Sequence, residues 1–367
     1  MTVPFVDFSA MNAVFRRQAV DTFADFLDRK WYVLGEGVSS FETEYAAFNR
    51  VKHCVGVSNG LDALHLCLRA LDIGSGDFVA VPSNTYIATV LAVLYTGAKP
   101  VFIEPDEATY NLTAGGVAGA GEGMKVIMPV HLYGQSCEMQ PLQRLAEERG
   151  AQLVEDNAQS QGARSHGQLT GTFGIANATS FYPGKNLGAL GDAGAVTTND
   201  PAIADRIRNL RNYGSPQKYH NTEVGYNNRL DELQARILSV KLPYLNDWNV
   251  ARQRTASKYR AQLGEIQDLT LPYIAEGCTT VYHQFVIRTD RRNELQEYLK
   301  RQDIGTLIHY PIPPHLQEAL RPLGYARGDF PIAERLADTS LSLPIYPGLT
   351  NNQIDHVCAS LRAFFGA

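Results

Sequence analysis

The sequence predicts an α/β protein in which a large domain with a mostly parallel sheet flanked by helices precedes a smaller C-terminal α/β domain. Two observations carry this. Between about residues 50 and 200, short apolar runs alternate with helical patterns, the rhythm of repeated strand–helix–strand units. After Thr198 the pattern turns helical, and strands and helices then mix to the C-terminus. The expected division is 1–245 for the large domain, with its N-terminal segment, and 246–367 for the small one. No repeat or low-complexity linker marks the boundary.

Taken in order, Leu61, Leu64, Leu68 and Leu71 recur at helical spacing behind Ser58-Asn59-Gly60. Phe78 to Pro82 reads as a strand, Ile87 to Tyr95 as a helix, and Pro100 to Ile103 and Lys125 to Met128 as strands. The glycine- and alanine-rich stretch 115–123 specifies either a poorly defined helix or a loop. Pro141 to Arg149 is helical, and the apolar run from Ala151 ends in Glu155-Asp156. Asp200-Pro201 starts a helix, and a second long helix runs from Asp231 through about Leu245 into Arg260. His283 to Arg288 and Arg292 to Arg301 supply a strand and a helix of the small domain.

With 367 residues, 44% hydrophobic and 19% charged, the chain has ample length for a large core. Net charge is 33 − 38 = −5 without any basic run, which argues against nucleic acid or an anionic membrane as the principal partner. Cys54, Cys67, Cys137, Cys278 and Cys358 form no CxxC pair and read as reduced core thiols. The N-terminus lacks the features of a secretion signal, and no apolar run reaches membrane-spanning length. The expected location is the cytoplasm.

Lys185 is the most informative residue. It sits in Ser180-Phe181-Tyr182-Pro183-Gly184-Lys185-Asn186-Leu187-Gly188, a glycine-rich turn after a strand end. An amine held there can reach a carbonyl without hindrance, which suits a Schiff base. Asp156 closes a buried strand at the same predicted sheet edge, so acid and lysine can meet there. Asp156 can pair with a protonated ring nitrogen or simply cap a following helix. Gln159, three residues on, can reach a ring oxygen or remain a surface glutamine. Asn59-Gly60-Leu61 opens a helix whose free amides suit a phosphate, although an ordinary N-cap reads the same way. Tyr86 can stack on a planar ligand or pack at its strand end. Ser180 can donate to phosphate or bond backbone. No histidine pair sits at metal-binding spacing with a carboxylate, so no metal is expected.

These pieces follow one another in the order used by fold type I aminotransferases. The chain resembles the DegT/DnrJ-type nucleotide-sugar aminotransferases from Trp31-Tyr32-Val33-Leu34-Gly35 and Phe41-Glu42 to the C-terminus, including Gly225-Tyr226-Asn227-Asn228-Arg229-Leu230-Asp231-Glu232-Leu233-Gln234-Ala235. The resemblance implies pyridoxal phosphate as cofactor and glutamate as amino donor. It makes Lys185 the Schiff-base lysine, Asp156 the pyridine partner, Gln159 the ring-oxygen contact and Tyr86 the stacking residue, with Gly60, Leu61 and Ser180 on the phosphate. It places Asn227 on the cofactor phosphate of a neighbouring subunit, implying a homodimer with shared active sites.

Two departures from the family pattern sharpen this. Leu61 stands where many relatives have threonine, so that phosphate contact is through backbone only. Tyr182 replaces the histidine that C-4 aminating relatives carry before the lysine, and Gly188 to Gly194 replaces their glycine pattern. The resemblance is therefore to enzymes acting on nucleotide-linked 3-keto-6-deoxyhexoses, with dTDP and a gluco or galacto sugar implied. His309 and Tyr310, in Ile308 to Gln317, border the sugar by resemblance or hold a proline-rich turn. Lys218 and Tyr219 close over the diphosphate or form a solvated loop. The rival readings are a C-4 sugar aminotransferase and a non-catalytic pyridoxal-phosphate-binding regulator. Sugar dehydratases of this fold carry histidine in place of the lysine, and Lys185 argues against them.

Overall fold

The computed structural model describes residues 1–367. Its strands are β1 (His53–Val57), β2 (Phe78–Pro82), β3 (Lys99–Ile103), β4 (Met124–Ile127), β5 (Gln152–Asp156), β6 (Arg164–Ser165), β7 (Gln168–Leu169), β8 (Ala176–Ser180), β9 (Gly194–Thr198), β10 (Phe285–Arg288) and β11 (Ser340–Leu343). The helices are α1 (Ser9–Arg29), α2 (Glu36–Asn49), α3 (Gly60–Ala70), α4 (Ile87–Tyr95), α5 (Ala114–Gly119), α6 (Met139–Arg149), α7 (Pro201–Leu210), α8 (Glu232–Lys241), α9 (Leu245–Leu263), α10 (Arg292–Arg301), α11 (Pro331–Thr339) and α12 (Asn351–Phe365).

A seven-stranded sheet in the order β1-β9-β8-β5-β4-β2-β3 forms the large unit, and only β9 runs against its neighbours. Parallel strands are covered on both faces, so they read as apolar runs without alternation. Val79, Val81, Val126, Val154 and Val196 pack with Leu64, Leu68 and Val93 of α3 and α4 in one layer. Ala80, Ile127 and Leu153 face Leu142 and Ala146 of α6 in the other.

The start of α2 is capped from far along the chain. The carboxylate of Glu232 accepts the amides of Gly35, Gly37 and Val38 at 3.0, 2.5 and 3.1 Å. Part of the motif around residue 230 therefore serves the scaffold, satisfying orphan donors that α2 would otherwise leave unpaired.

The long helix expected from Asp231 into Arg260 is divided. Helix α8 ends at Lys241, a tight turn spans Leu242–Tyr244, and α9 begins at Leu245. Pro243 lacks an N–H and its ring crowds the carbonyl one turn back, which is enough to interrupt the ladder. The stretch 115–123 contains the short helix α5, capped by the Thr113 hydroxyl accepting from Gly116 N–H at 3.1 Å.

In the C-terminal unit β10 and β11 pair antiparallel, and α9, α10 and α12 bury Tyr259, Leu295, Leu299 and Val357 against them. Val3 joins this core. Its N–H donates to Asp303 at 2.8 Å and its carbonyl accepts Gly305 N–H at 2.8 Å. Helix α1 then crosses back, burying Met11 and Phe15 against Trp248 of α9. Position 245 is the first residue of α9, which gives Leu245 to the core beside α2 and α8 and Ala256, Tyr259 and Leu263 to the C-terminal core.

Candidate active site

Strands β1, β2, β5 and β8 all point their C-terminal ends at one edge of the sheet, where ligands bind in open α/β folds. Because β9 runs the other way, its first residue, Gly194, reaches the same edge opposite both Val57 and Ser180. A Cβ at Gly60 would lie 2.6 Å from Ser180 Cβ, and one at Gly194 would collide with the Asn59 carbonyl. Only glycine at both positions lets the start of α3 sit down onto the ends of β8 and β9. The Asn59 side chain accepts from Asp62 N–H at 2.9 Å, an ordinary N-cap. Beneath it the amides of Gly60 and Leu61 donate to no group of the chain. The cap and the free amides coexist.

After Ser180 the chain folds into a tight turn. Lys185 N–H donates to the Tyr182 carbonyl and Ala189 N–H to that of Phe181, both at 2.8 Å. The Asn186 amide ties the turn to Asn249 Oδ1 at 2.8 Å and to the Val281 carbonyl at 3.0 Å. Burial lowers the Lys185 amine to about 8, and the carboxylate of Asp156 opposes that fall. The Ser180 hydroxyl accepts Tyr182 N–H at 3.3 Å, the backbone bond its sequence context allowed, and its own proton remains free to donate.

Asp156 is buried at the end of β5. No helix follows it; one oxygen accepts Ala158 N–H at 3.1 Å in a local turn. The other accepts the Thr89 hydroxyl at 2.8 Å, and Thr89 in turn lies 2.8 Å from the Thr85 hydroxyl. Burial raises the Asp156 carboxyl, while these bonds and the nearby Lys185 and His131 oppose the rise. His131 sits behind the site, 2.8 Å from the buried Glu155, whose oxygens also accept the amides of Gly171, Phe173 and Gly174.

Gln159 lies between the two structural units. Its Oε1 accepts Tyr133 N–H at 2.6 Å, and its Nε2 donates to the Tyr310 hydroxyl at 3.1 Å. The Tyr310 ring stands 5.1 Å from that of Tyr86, which is 53% exposed at the start of α4. Tyr86 is therefore presented at the edge and not packed away beneath it. His309 holds Ser342 Oγ at 2.8 Å through Nδ1, and its carbonyl accepts the Tyr133 hydroxyl. Burial, reinforced by the charge of Lys185, lowers the imidazole of His309 to about 4 and that of His283 well below its usual range. Both are neutral near pH 7.

The structure thus brings together Gly60, Leu61, Tyr86, Asp156, Gln159, Ser180, Lys185, His309 and Tyr310. Tyr182, 59% exposed, stands at the mouth of the lysine turn. Asn227 is exposed on the segment that runs beside β1: the Asn228 carbonyl accepts Ser58 N–H at 3.2 Å and Arg229 bridges to Val57. Lys218 and Tyr219 are not joined to this group. Lys218 Nζ lies 5.1 Å from the Tyr219 ring, and Tyr219 is 89% exposed.

Thr89, Tyr133, Asn186 and His283 were not singled out from sequence. Thr89 lies in the first turn of α4, three positions after the Tyr86 N-cap, and nothing in the sequence marks it as a partner of Asp156. Tyr133 sits at φ 59°, and the glycine beside it, Gly134 at φ 97°, marks the turn without showing that Tyr133 faces Gln159.

No three His, Cys, Asp or Glu side chains are grouped to hold a metal. All five cysteines are buried and unpaired, and no helix is long and apolar enough to cross a membrane.

An amine that is partly unprotonated near neutrality condenses with carbonyls, and free amides at a helix start favour phosphate. The edge defines an enzyme built for a phosphorylated carbonyl compound. The chain belongs to the DegT/DnrJ/EryC1/StrS aminotransferase family, whose profile matches residues 15–362. It is an aminotransferase, and pyridoxal phosphate is its expected cofactor. It is 47% identical over 364 residues to the erythromycin biosynthesis sensory transduction protein EryC1 of Saccharopolyspora erythraea, covering 99% of this chain and 100% of the relative. It is 45% identical over 365 residues to the dTDP-3-amino-3,6-dideoxy-alpha-D-galactopyranose transaminase of Aneurinibacillus thermoaerophilus, covering 99% of each. The crystal structure of S. venezuelae DesV in complex with a ketimine intermediate superposes with a TM-score of 0.97 at 44% identity, over 100% of this chain and 99% of that one.

Proposed function

We propose that the protein transfers an amino group from glutamate to the C-3 ketone of a dTDP-linked 3-keto-6-deoxyhexose, giving the 3-amino-3,6-dideoxy sugar. The observation that supports the transamination in this reading is the placement of Lys185, on its closed turn, at the sheet edge where Asp156 ends β5. A relative at 45% identity bears a name that puts nitrogen on sugar carbon 3. Tyr182, where C-4 enzymes resemble one another in carrying histidine, points the same way.

The residues present fit pyridoxal phosphate. The unpaired amides of Gly60 and Leu61 and the free proton of Ser180 suit its phosphate, and Asp156 suits a protonated ring nitrogen. Gln159 keeps one amide proton and one lone pair beyond its bonds to Tyr133 and Tyr310, enough to reach a ring oxygen. Tyr86 offers its exposed ring as the stacking face. The cofactor supplies an electron sink for the carbon that loses its proton. Lys185 Nζ takes that proton from Cα of the amino donor as a base and later returns a proton as an acid. Asp156 holds its negative charge close by. The neutral His309 and His283 add no positive charge that would hinder the amine from accepting a proton. Tyr182, His309 and Tyr310 border the sugar, whereas Lys218 and Tyr219 stand apart from the site and carry no assigned contact.

Incubation with glutamate and synthetic dTDP-3-keto- and dTDP-4-keto-6-deoxyhexoses tests this. The expected NMR product is aminated at C-3. Efficient conversion of the 4-keto sugar with the 3-keto one ignored overturns the regiochemistry. The name of the 47% identical relative favours a sensory role as the second reading. A regulator that binds the cofactor would use the same lysine, so turnover decides: a visible absorbance change on adding glutamate separates the two.

The protein acts in the cytoplasm as a homodimer in which Asn227 reaches the partner's cofactor phosphate. Its exposure beside β1 supports this. A hydrogen bond to a charged group is worth about 1.5–3 kcal/mol, so Asn227→Ala should weaken cofactor retention about ten- to a hundredfold. Mixed with Lys185→Ala, it forms heterodimers with one site intact in both residues. At limiting cofactor those should be more active than either parent; subunit exchange without recovery means that Asn227 serves its own chain.

A further inference from the structure

A buried lysine that takes no part in the reaction above lies behind the Lys185 turn. Lys241, the last residue of α8, is 4% exposed. Its ammonium meets the Gly188 carbonyl and faces the rings of Phe15 and Trp248, with Nζ 5.1 and 5.8 Å from their centroids. It forms no ion pair, and burial alone lowers the amine to about 8. A buried ammonium without a carboxylate costs stability, and an apolar side chain of the same length would fill the space at lower cost. Rings and one carbonyl offset only part of that.

What the lysine holds is the turn. A Cβ at Gly188 would collide with the Pro183 carbonyl oxygen and fall 2.8 Å from that of Tyr182. Gly188 is thus folded back onto Pro183 and Tyr182, and the Tyr182 carbonyl is the one that accepts Lys185 N–H. Asn186 ties the opposite side of the turn to Asn249 and Val281. If Gly188 moves, the restraint on Lys185 moves with it.

We propose that Lys241 is a positioning residue for Lys185: seated on Phe15 and Trp248, its ammonium donates to the Gly188 carbonyl and fixes the turn that aims the Lys185 amine. This rests on the reading of Lys185 as the lysine that carries the cofactor. It also gives α1 a part in the site, because Phe15 comes from that helix.

The test is Lys241→Met, which keeps length and volume and removes the donor, prepared as the cofactor-loaded enzyme. The expected result is a kcat for glutamate lowered about tenfold or more, with KM within about threefold. The pH midpoint of the visible absorbance should move by about half a unit or more, since the Lys185 amine no longer meets the cofactor in one fixed geometry. Tm should hold or rise, because a lone buried cation is gone. A fall in Tm with kcat and absorbance midpoint unchanged marks a merely structural lysine and overturns the proposal. Phe15→Leu removes one ring and leaves the lysine in place, so it carries the test should the methionine variant fail to fold. It should lower kcat about threefold with a midpoint shift in the same direction; no change in either overturns the proposal. Borohydride reduction of the wild-type holoenzyme, with the labelled peptide identified, keeps the two readings apart. A label on any residue other than Lys185 overturns both, and a label on Lys185 with an unmoved midpoint in the variants overturns this one alone.

Discussion

Lys185→Ala is expected to fold like the wild-type chain and to lose turnover to near background. The substitution deletes only a side-chain amine. The turn that carries it is closed by backbone bonds from Lys185 N–H and Ala189 N–H and by the Asn186 side chain, all of which alanine leaves in place. On the proposed reading the lost group would supply both covalent attachment of the cofactor and proton transfer at two carbons, a pair of roles that no neighbour can fill. The flanking histidine cannot serve as the base instead, because His309, with its imidazole lowered to about 4, is a poor proton acceptor and its Nδ1 is held by Ser342. Burial brings the amine down to about 8, so that the free base is populated near neutrality far more than in an ordinary lysine. Single-turnover and steady-state rates with glutamate check the prediction. Turnover within about tenfold of wild type, a barrier change of only ~1.4 kcal/mol, removes Lys185 from the chemistry.

How much of this was legible in sequence depends on how local each cause is. Strands β2 to β5 and helix α4 announce themselves because burial on both faces of a parallel sheet leaves uninterrupted apolar runs, and helix and strand periods differ. Asp156, Ser180 and Gly60 fall where strands end, and a parallel sheet brings strand ends to one edge, so their meeting followed from the fold class. What escaped was whatever depends on two distant segments. Tyr133 supplies an amide to Gln159 from a turn 26 residues upstream, and His283 approaches the lysine from the C-terminal unit. Glu232, which in sequence only belongs to the stretch that carries the family resemblance, proves to cap α2 across nearly two hundred residues of chain. The break between α8 and α9 was readable at Pro243 and was missed because the apolar spacing continues through it.

The N-terminal segment shows the same limit from another side. Val3 is an unremarkable apolar residue in sequence, yet it completes the core built by α9, α10 and α12, and α1 then returns to pack Phe15 on Trp248. The C-terminal unit that presents His309 and Tyr310 to the site is therefore finished by the first residues of the chain. Periodicity assigns residues to elements; it does not say which core an isolated segment will close.

Asp156→Asn is expected to keep the cofactor and lose most turnover. The amide is nearly the same size and retains one oxygen for the Thr89 hydroxyl, 2.8 Å from the carboxylate in the native chain. Packing at the end of β5 is preserved. What disappears is the charge. Burial alone would push the Asp156 carboxyl toward its neutral form; the Ala158 amide, the Thr89 hydroxyl and the nearby Lys185 work against that and favour the ion. The hydroxyl arrangement has a definite direction. An ionised carboxylate only accepts, so Thr89 must donate to it, and Thr85 must then donate to Thr89. The site is arranged to keep one negative charge where water does not screen it, and such a charge is worth most against a cationic ring nitrogen. Removing a preorganised electrostatic partner of this kind costs about 10²–10³ in kcat, or ~2.7–4 kcal/mol. Cofactor binding should weaken far less, since Gly60, Leu61, Ser180 and Lys185 are untouched. Measured together, the dissociation constant of pyridoxal phosphate and kcat with glutamate decide the matter. Activity that survives while the cofactor is lost makes Asp156 an anchor, and the electronic role would then have to be given up.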